Sequence, residues 1–172
     1  MKKVLLIIAY RNFQPFEYSM PKGILEAAGL EVITASDQAG MAVSSVSETE
    51  AKVDILLTEV EVKNYAGIYF IGGPGALEHL DNEMSYKIAQ DARQTGMAFG
   101  AICISPRILA KAGVLKGRKA TGWNDDGELA KILENGGAQY VRDPVVVDDN
   151  LITAVGPTAA EEFGNKIVEL LK

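Results

Sequence analysis

Residues 99–113, FGAICISPRILAKAG, pass from a short apolar run through the chain's only cysteine, Cys103, into a helical pattern stopped by Gly113. An apolar strand, a tight turn and a helix in immediate succession form the repeating unit of a parallel sheet covered by helices. The same alternation extends in both directions. Upstream, Lys3 to Ala9 reads as the first strand and Tyr10 to Gln14 as a polar turn. Phe16 to Ala28 then carries Met20, Ile24, Leu25 and Ala28 at helical spacing and closes at Gly29. Pro21 fits that helix only in its first turn. Glu31 to Ala35 is a second strand, and residues 41–60 alternate as a small hairpin or a pair of edge strands. Ala66 to Ile71 is a buried strand running into Gly72-Gly73-Pro74-Gly75. Asn82 to Thr95 is a helix closed by Gly96, and Met97 to Ile102 is a further buried strand, followed by the helix Ser105 to Ala112.

Downstream the pattern gives a short strand at Lys119 to Thr121 and a helix at Gly127 to Asn135. Strands follow at Gln139 to Val141, Val145 to Val147 and Leu151 to Ala154, with a last helix from Thr158 to Leu171. The reading is an α/β fold with a mostly parallel sheet and helices on both faces. No repeat, linker or low-complexity tract interrupts the 172 residues, so a single domain over 1–172 is expected.

Composition removes several functions. There are 23 acidic against 17 basic side chains, a formal net charge of −6, and no basic cluster longer than Lys2-Lys3. Nothing here attracts a polyphosphate backbone, so a nucleic-acid partner is not expected. The first apolar run, Val4 to Ala9, is too short for a signal-peptide core or a membrane span. A cytoplasmic protein with no membrane partner is the expectation. One cysteine cannot form an internal disulfide, and one cysteine with one histidine, His79, cannot close a zinc site of Cys and His ligands. No metal or other cofactor is expected.

Chemistry in such a sheet collects at the carboxyl ends of the strands. Cys103 stands at one of them, where the start of the following helix favours thiolate over thiol; a plain buried cysteine is the alternative. The glycine turn at residues 72–75 ends another strand and can bring backbone amides close to a ligand, although an ordinary turn reads the same way. It is no phosphate loop, because the GK[ST] ending is absent. Glu17 opens the first helix, a position that dipole complementation alone can explain. Together the three place a thiol, an amide-rich turn and a carboxyl group on one sheet edge.

The stretches FEYSMPKGILEAAGLEV, GGPGALEHL, AICISPRILAKAGVLKGRKAT and DDNLITAVGPTAAEEFGNKIVELL resemble the DJ-one/PfpI superfamily, which includes a parkinsonism-associated deglycase and the PfpI intracellular peptidases. The resemblance implies a flavodoxin-like three-layer sandwich, a nucleophile-elbow cysteine and, commonly, a homodimer. It assigns Cys103 as the nucleophile and Glu17 as a protonated carboxyl partner. The amides of Gly73 and Ile104 become the oxyanion pocket, with Gly72, Trp123 and Asn124 lining the cleft. Three positions depart from the pattern: Ile104 and Trp123 stand where peptidase-type and deglycase-type members carry histidines, and Val155 replaces an arginine. His79 reads as a surface residue on a short helix. These features imply a glyoxalase- or deglycase-like enzyme acting on α-oxoaldehydes or their adducts, hence a small carbonyl metabolite as partner. A cysteine-based oxidative-stress sensor or chaperone is the alternative, and a metabolite-binding module a third. A PfpI-type peptidase is disfavoured, because the leaving amine needs a proton donor.

Overall fold

The computed structural model describes residues 1–46 and 48–172. Strand β1 (Lys3–Ile7) is fully buried from Val4 onward, and β2 (Arg11–Phe13) is a short segment inside the stretch that reads as a turn. Helix α1 (Pro15–Ala27) begins earlier than its apolar spacing suggests. Gln14 caps it by accepting a bond from the Glu17 amide at 2.8 Å, and Pro15 occupies the first helical position, where its missing amide costs nothing. Pro21 therefore lies in the second turn rather than the first, and offers no amide to the Glu17 carbonyl.

Strand β3 (Glu31–Ser36) returns beside β1. The hairpin β4 (Gly40–Ser44) and β5 (Glu50–Val53) follows, and the sequence-predicted hairpin includes Ser47, which lies outside the described residues. Strand β6 (Ile55–Leu56) and strand β7 (Gly67–Phe70) lead to the glycine turn, and α2 (Ala76–His79) is a single turn behind it. Helix α3 (Glu83–Thr95) is capped by the Asn82 side chain and closed by Gly96 in the left-handed conformation. Strand β8 (Ala98–Ile102) and helix α4 (Pro106–Lys111) flank Cys103. The rest comprises β9 (Lys119–Ala120), α5 (Leu129–Asn135), β10 (Gln139–Tyr140), β11 (Val145–Asp148), β12 (Leu151–Ala154) and α6 (Ala160–Leu171).

Seven strands form the central sheet in the order β11-β12-β8-β7-β1-β3-β6, parallel throughout except for the antiparallel edge strand β11. Its inner strands are apolar on both faces, as a sheet covered on both sides requires: β1, β7 and β8 bury nearly every side chain. Helices α1 and α6 pack together on one face, with Gly164 allowing α6 to approach Pro21 and Ile24. Helices α3, α4 and α5 form the other layer. Two small sheets, β2-β4-β5 and β10-β9, sit outside this frame. The result is the flavodoxin-like three-layer α/β sandwich, with β7 at its centre between β8 and β1 and the loops after β1, β7 and β8 meeting at one carboxyl edge. Among the described residues, no helix is long and apolar enough to cross a membrane, and no group of three or more His, Cys, Asp or Glu side chains could hold a metal.

Candidate active site

Cys103 follows β8 with φ +65°, a left-handed backbone that non-glycine residues avoid. Three bonds hold it there. Its amide donates to Ala154 O at 2.9 Å, its carbonyl accepts from the Trp123 amide at 2.7 Å, and the neighbouring Ser105 hydroxyl donates to Ile71 O at 2.7 Å. The strand-to-helix turn is thus a strained nucleophile elbow that lifts the thiol above the end of the sheet.

The glycine turn packs against the start of α1 through both backbone groups of one residue. Gly72 O accepts from the Gln14 amide at 3.0 Å, and Gly72 N donates to Glu17 Oε2 at 2.9 Å. A Cβ on Gly72 would stand 2.6 Å from both Cys103 Cβ and Glu17 Oε2, so only glycine lets the three meet. Gly73, at φ +122°, is restricted in the same way by the backbone of residues 12–14.

Glu17 is fully buried. Its Oε1 has no hydrogen bond of regular geometry, and both Oε1 and Cys103 Sγ lie 3.9 Å from where a Cβ on Gly156 would be. Desolvation raises the Glu17 pKa from 4.5 to about 7, against the lowering influence of hydrogen bonds with the Cys103 thiol and the Gly72 amide. A raised value agrees with the protonated carboxyl partner that the resemblance implies, and burial is its main cause. The Cys103 thiol is also pushed up, first by burial and then by Glu17, while the amides of Ile104 and Gly73 oppose this by bonding to sulfur. This reverses the expectation of an acidified thiol. Helix α4 has only six residues and begins three positions after Cys103, too little dipole to offset a neighbouring carboxylate. Two adjacent negative charges are disfavoured, so the thiol keeps its proton while the carboxyl titrates around neutral pH.

The structure therefore brings together Cys103, Glu17, Gly72, Gly73 and Ile104. Trp123 joins them through its backbone, and its loop is clamped from α4: Arg107 forms a two-pronged ion pair with Asp126 at 2.8 and 2.9 Å and stacks over the Trp123 ring. Asn124 spends its side-chain oxygen on the Leu129 amide at the start of α5, a capping role, while also lining a side cavity. His79 is not a surface residue. Its side chain is only 12% exposed, and Nδ1 meets Asp37 Oδ2 at 2.6 Å. Sequence reasoning missed Gly156 and Arg107; Gly156 had a signal in its Gly-Pro pair, whereas Arg107 had only its place one turn after the cysteine.

A three-layer α/β sandwich with a strained elbow cysteine facing a buried carboxyl defines a class of α/β proteins built around an elbow cysteine. The chain belongs to the DJ-1/PfpI family, whose profile matches residues 2–170. An uncharacterized protein of Methanocaldococcus jannaschii is 33% identical over 171 residues, covering 99% of this chain and 82% of the relative. A ThiJ/PfpI domain protein from Brachyspira murdochii superposes with a TM-score of 0.92 at 27% identity, covering 98% of this chain and 95% of that one. Drosophila melanogaster DJ-1beta superposes with a TM-score of 0.86 at 28% identity, covering 99% and 90%.

Proposed function

We propose that the protein converts small α-oxoaldehydes, or their adducts, at Cys103. The observation that carries this reading is a carboxyl group with a pKa near 7 set against the chain's only thiol, beside two amides directed at the sulfur. As sulfur attacks the aldehyde carbon, the Glu17 carboxylate takes the thiol proton, the S–C bond forms and the carbonyl π pair moves to oxygen. The amides of Gly73 and Ile104 stabilise that oxyanion, and Glu17 returns the proton to give a hemithioacetal. Glu17 next moves a proton from the former aldehyde carbon to the adjacent carbonyl carbon through an enediol. Water hydrolyses the resulting thioester, releasing a 2-hydroxy acid and the free thiol. The sum is oxoaldehyde plus water, with no outside oxidant.

Methylglyoxal consumption and lactate formation test this in wild type, Cys103→Ser and Glu17→Gln. Loss in the first variant and a fall of roughly 10²-fold in the second are expected. Unchanged turnover in either would overturn the reading.

A second reading rests on the Glu17 Oε1 that lacks a regular partner beside the sulfur. Peroxide would oxidise Cys103 to sulfenate and a second equivalent to sulfinate, releasing water each time, and the Glu17 proton would bond a product oxygen. A Cys103 two oxygens heavier after mild peroxide, in a protein that leaves methylglyoxal untouched, supports this sensor in place of the enzyme. Peptide cleavage is not proposed, because Ile104 and Trp123 supply no acid and His79 is engaged by Asp37. The protein acts as a homodimer in this reading, supported by the exposed apolar side chains Phe16 beside Glu17 and Val46 on the neighbouring hairpin, 46% and 57% exposed. Sedimentation at twice the chain mass is expected, and a monomer at all concentrations would remove the dimer.

A further inference from the structure

We infer that the cleft continues sideways into a subsite for a carboxylate, so that the carbonyl compounds handled at Cys103 carry an acidic group; this rests on Cys103 being the reacting centre. The subsite is a cavity of ≈ 360 Å³ whose lining includes Thr121, Asn124, Arg142, Asp143, Pro144 and Val155. Its lining neighbours the elbow at two points of the chain. Val155 precedes Gly156, the residue that faces both Sγ and Glu17 Oε1, and Asn124 follows Trp123, whose amide holds the Cys103 carbonyl. The Val155 amide donates to Pro144 O at 2.9 Å, which joins the far wall to the near one.

Two features point to a ligand. Thr121 is fully buried, yet its Oγ1 has no hydrogen-bond partner, an arrangement that proteins avoid unless something else supplies the bond. Arg142 is exposed and makes no hydrogen bond or ion pair among the described residues. Arg107 is engaged by Asp126, Arg118 by Asp148 and Arg93 by the carbonyls of Val114 and Lys116, while Arg11 lies over the Tyr10 ring, away from this cavity's lining. A cavity with apolar walls at Val155 and Pro144, a free guanidinium at its rim and an unpaired hydroxyl in its lining suits a short carboxylate. Asp143 shares the rim with opposite sign and weakens this attraction, which gives the assignment a second, opposite signature.

Alkylation of Cys103 by iodoacetate and by iodoacetamide tests it without any turnover. Both form the same S–C bond and expel iodide, and they differ by one negative charge. The ratio of iodoacetate to iodoacetamide rates should fall by about threefold or more in Arg142→Gln at low ionic strength, and the difference should shrink as salt is added. It should fall in Thr121→Val and rise in Asp143→Asn. Iodoacetamide alone reports that the thiol is intact in each variant. A ratio unmoved in any of the three overturns the subsite and leaves methylglyoxal turnover unaffected. Absence of turnover with methylglyoxal and with a carboxylate-bearing α-oxoaldehyde, with the ratios as stated, overturns the enzymatic reading and leaves the subsite standing.

Discussion

Two acid pairs share the carboxyl edge of the sheet, and they are built to opposite ends. In the pair after β3, Asp37 uses both oxygens: Oδ1 accepts from the Tyr10 amide and the Ser36 hydroxyl, each at 3.1 Å, and Oδ2 meets His79. In the pair after β8, Glu17 has one oxygen on the Gly72 amide and leaves the other against a thiol, in full burial. The first arrangement satisfies its charge and ties α2 to the end of β3. The second leaves a carboxyl with no stabilising countercharge beside a backbone held at a strained φ. An acid next to a polar partner is thus structural or chemical according to how many of its lone pairs the fold satisfies.

The sharpest way to break that contrast is Gly72→Ala. The added methyl would meet Cys103 Cβ and Glu17 Oε2 at 2.6 Å and the Ile102 carbonyl at 2.9 Å. Overpacking of this kind costs about 3 kcal/mol, and denaturant unfolding should show it together with a collapse of Cys103 alkylation. Full stability in this variant would mean that thiol and carboxyl are not in contact.

Glu17→Gln should give a pH-dependent effect of similar size. The folded pKa is raised from 4.5 to about 7, so the protonated form is the one the fold favours. Its stabilising contribution is complete below pH 4.5 and is lost as pH climbs towards 7, a change of about 3 kcal/mol by linkage. Since glutamine does not titrate, the variant should gain on wild type across that window. A constant difference would show that Glu17 ionises normally.

The same variant sharpens the thiol. In wild type the alkylation midpoint should lie above the free-cysteine value of ~8.5, and in Glu17→Gln it should fall, because a repelling charge has gone while the amides of Ile104 and Gly73 stay. A wild-type midpoint below ~8.5 would contradict the balance of charges described here.

The smallest effect belongs to the other pair. His79→Gln alters a partly exposed side-chain hydrogen bond, for which about 1 kcal/mol or less is expected. The Cys103 midpoint should not move. A shift would show that the two pairs are coupled through the glycine turn and α2.

The layers were legible in the chain, because apolar runs of strand length alternating with amphipathic helices have few other ways to bury themselves. It also located the elbow and the glycine turn, since both are contiguous and marked by local chemistry. Boundaries slipped where capping decides them: Gln14 and Pro15 start α1 before its apolar spacing begins, and this put Pro21 in the second turn. What the side chains meet depends on contacts that exist only in the closed fold. Glu17 and Gly72 are 55 positions apart, Asp37 and His79 42 apart, and no local pattern encodes either meeting. The direction of the Cys103 pKa shift was likewise hidden. A helix start acts on one residue and can be read from its neighbours in the chain, whereas desolvation and a facing carboxylate exist only once the sheet edge has closed around them.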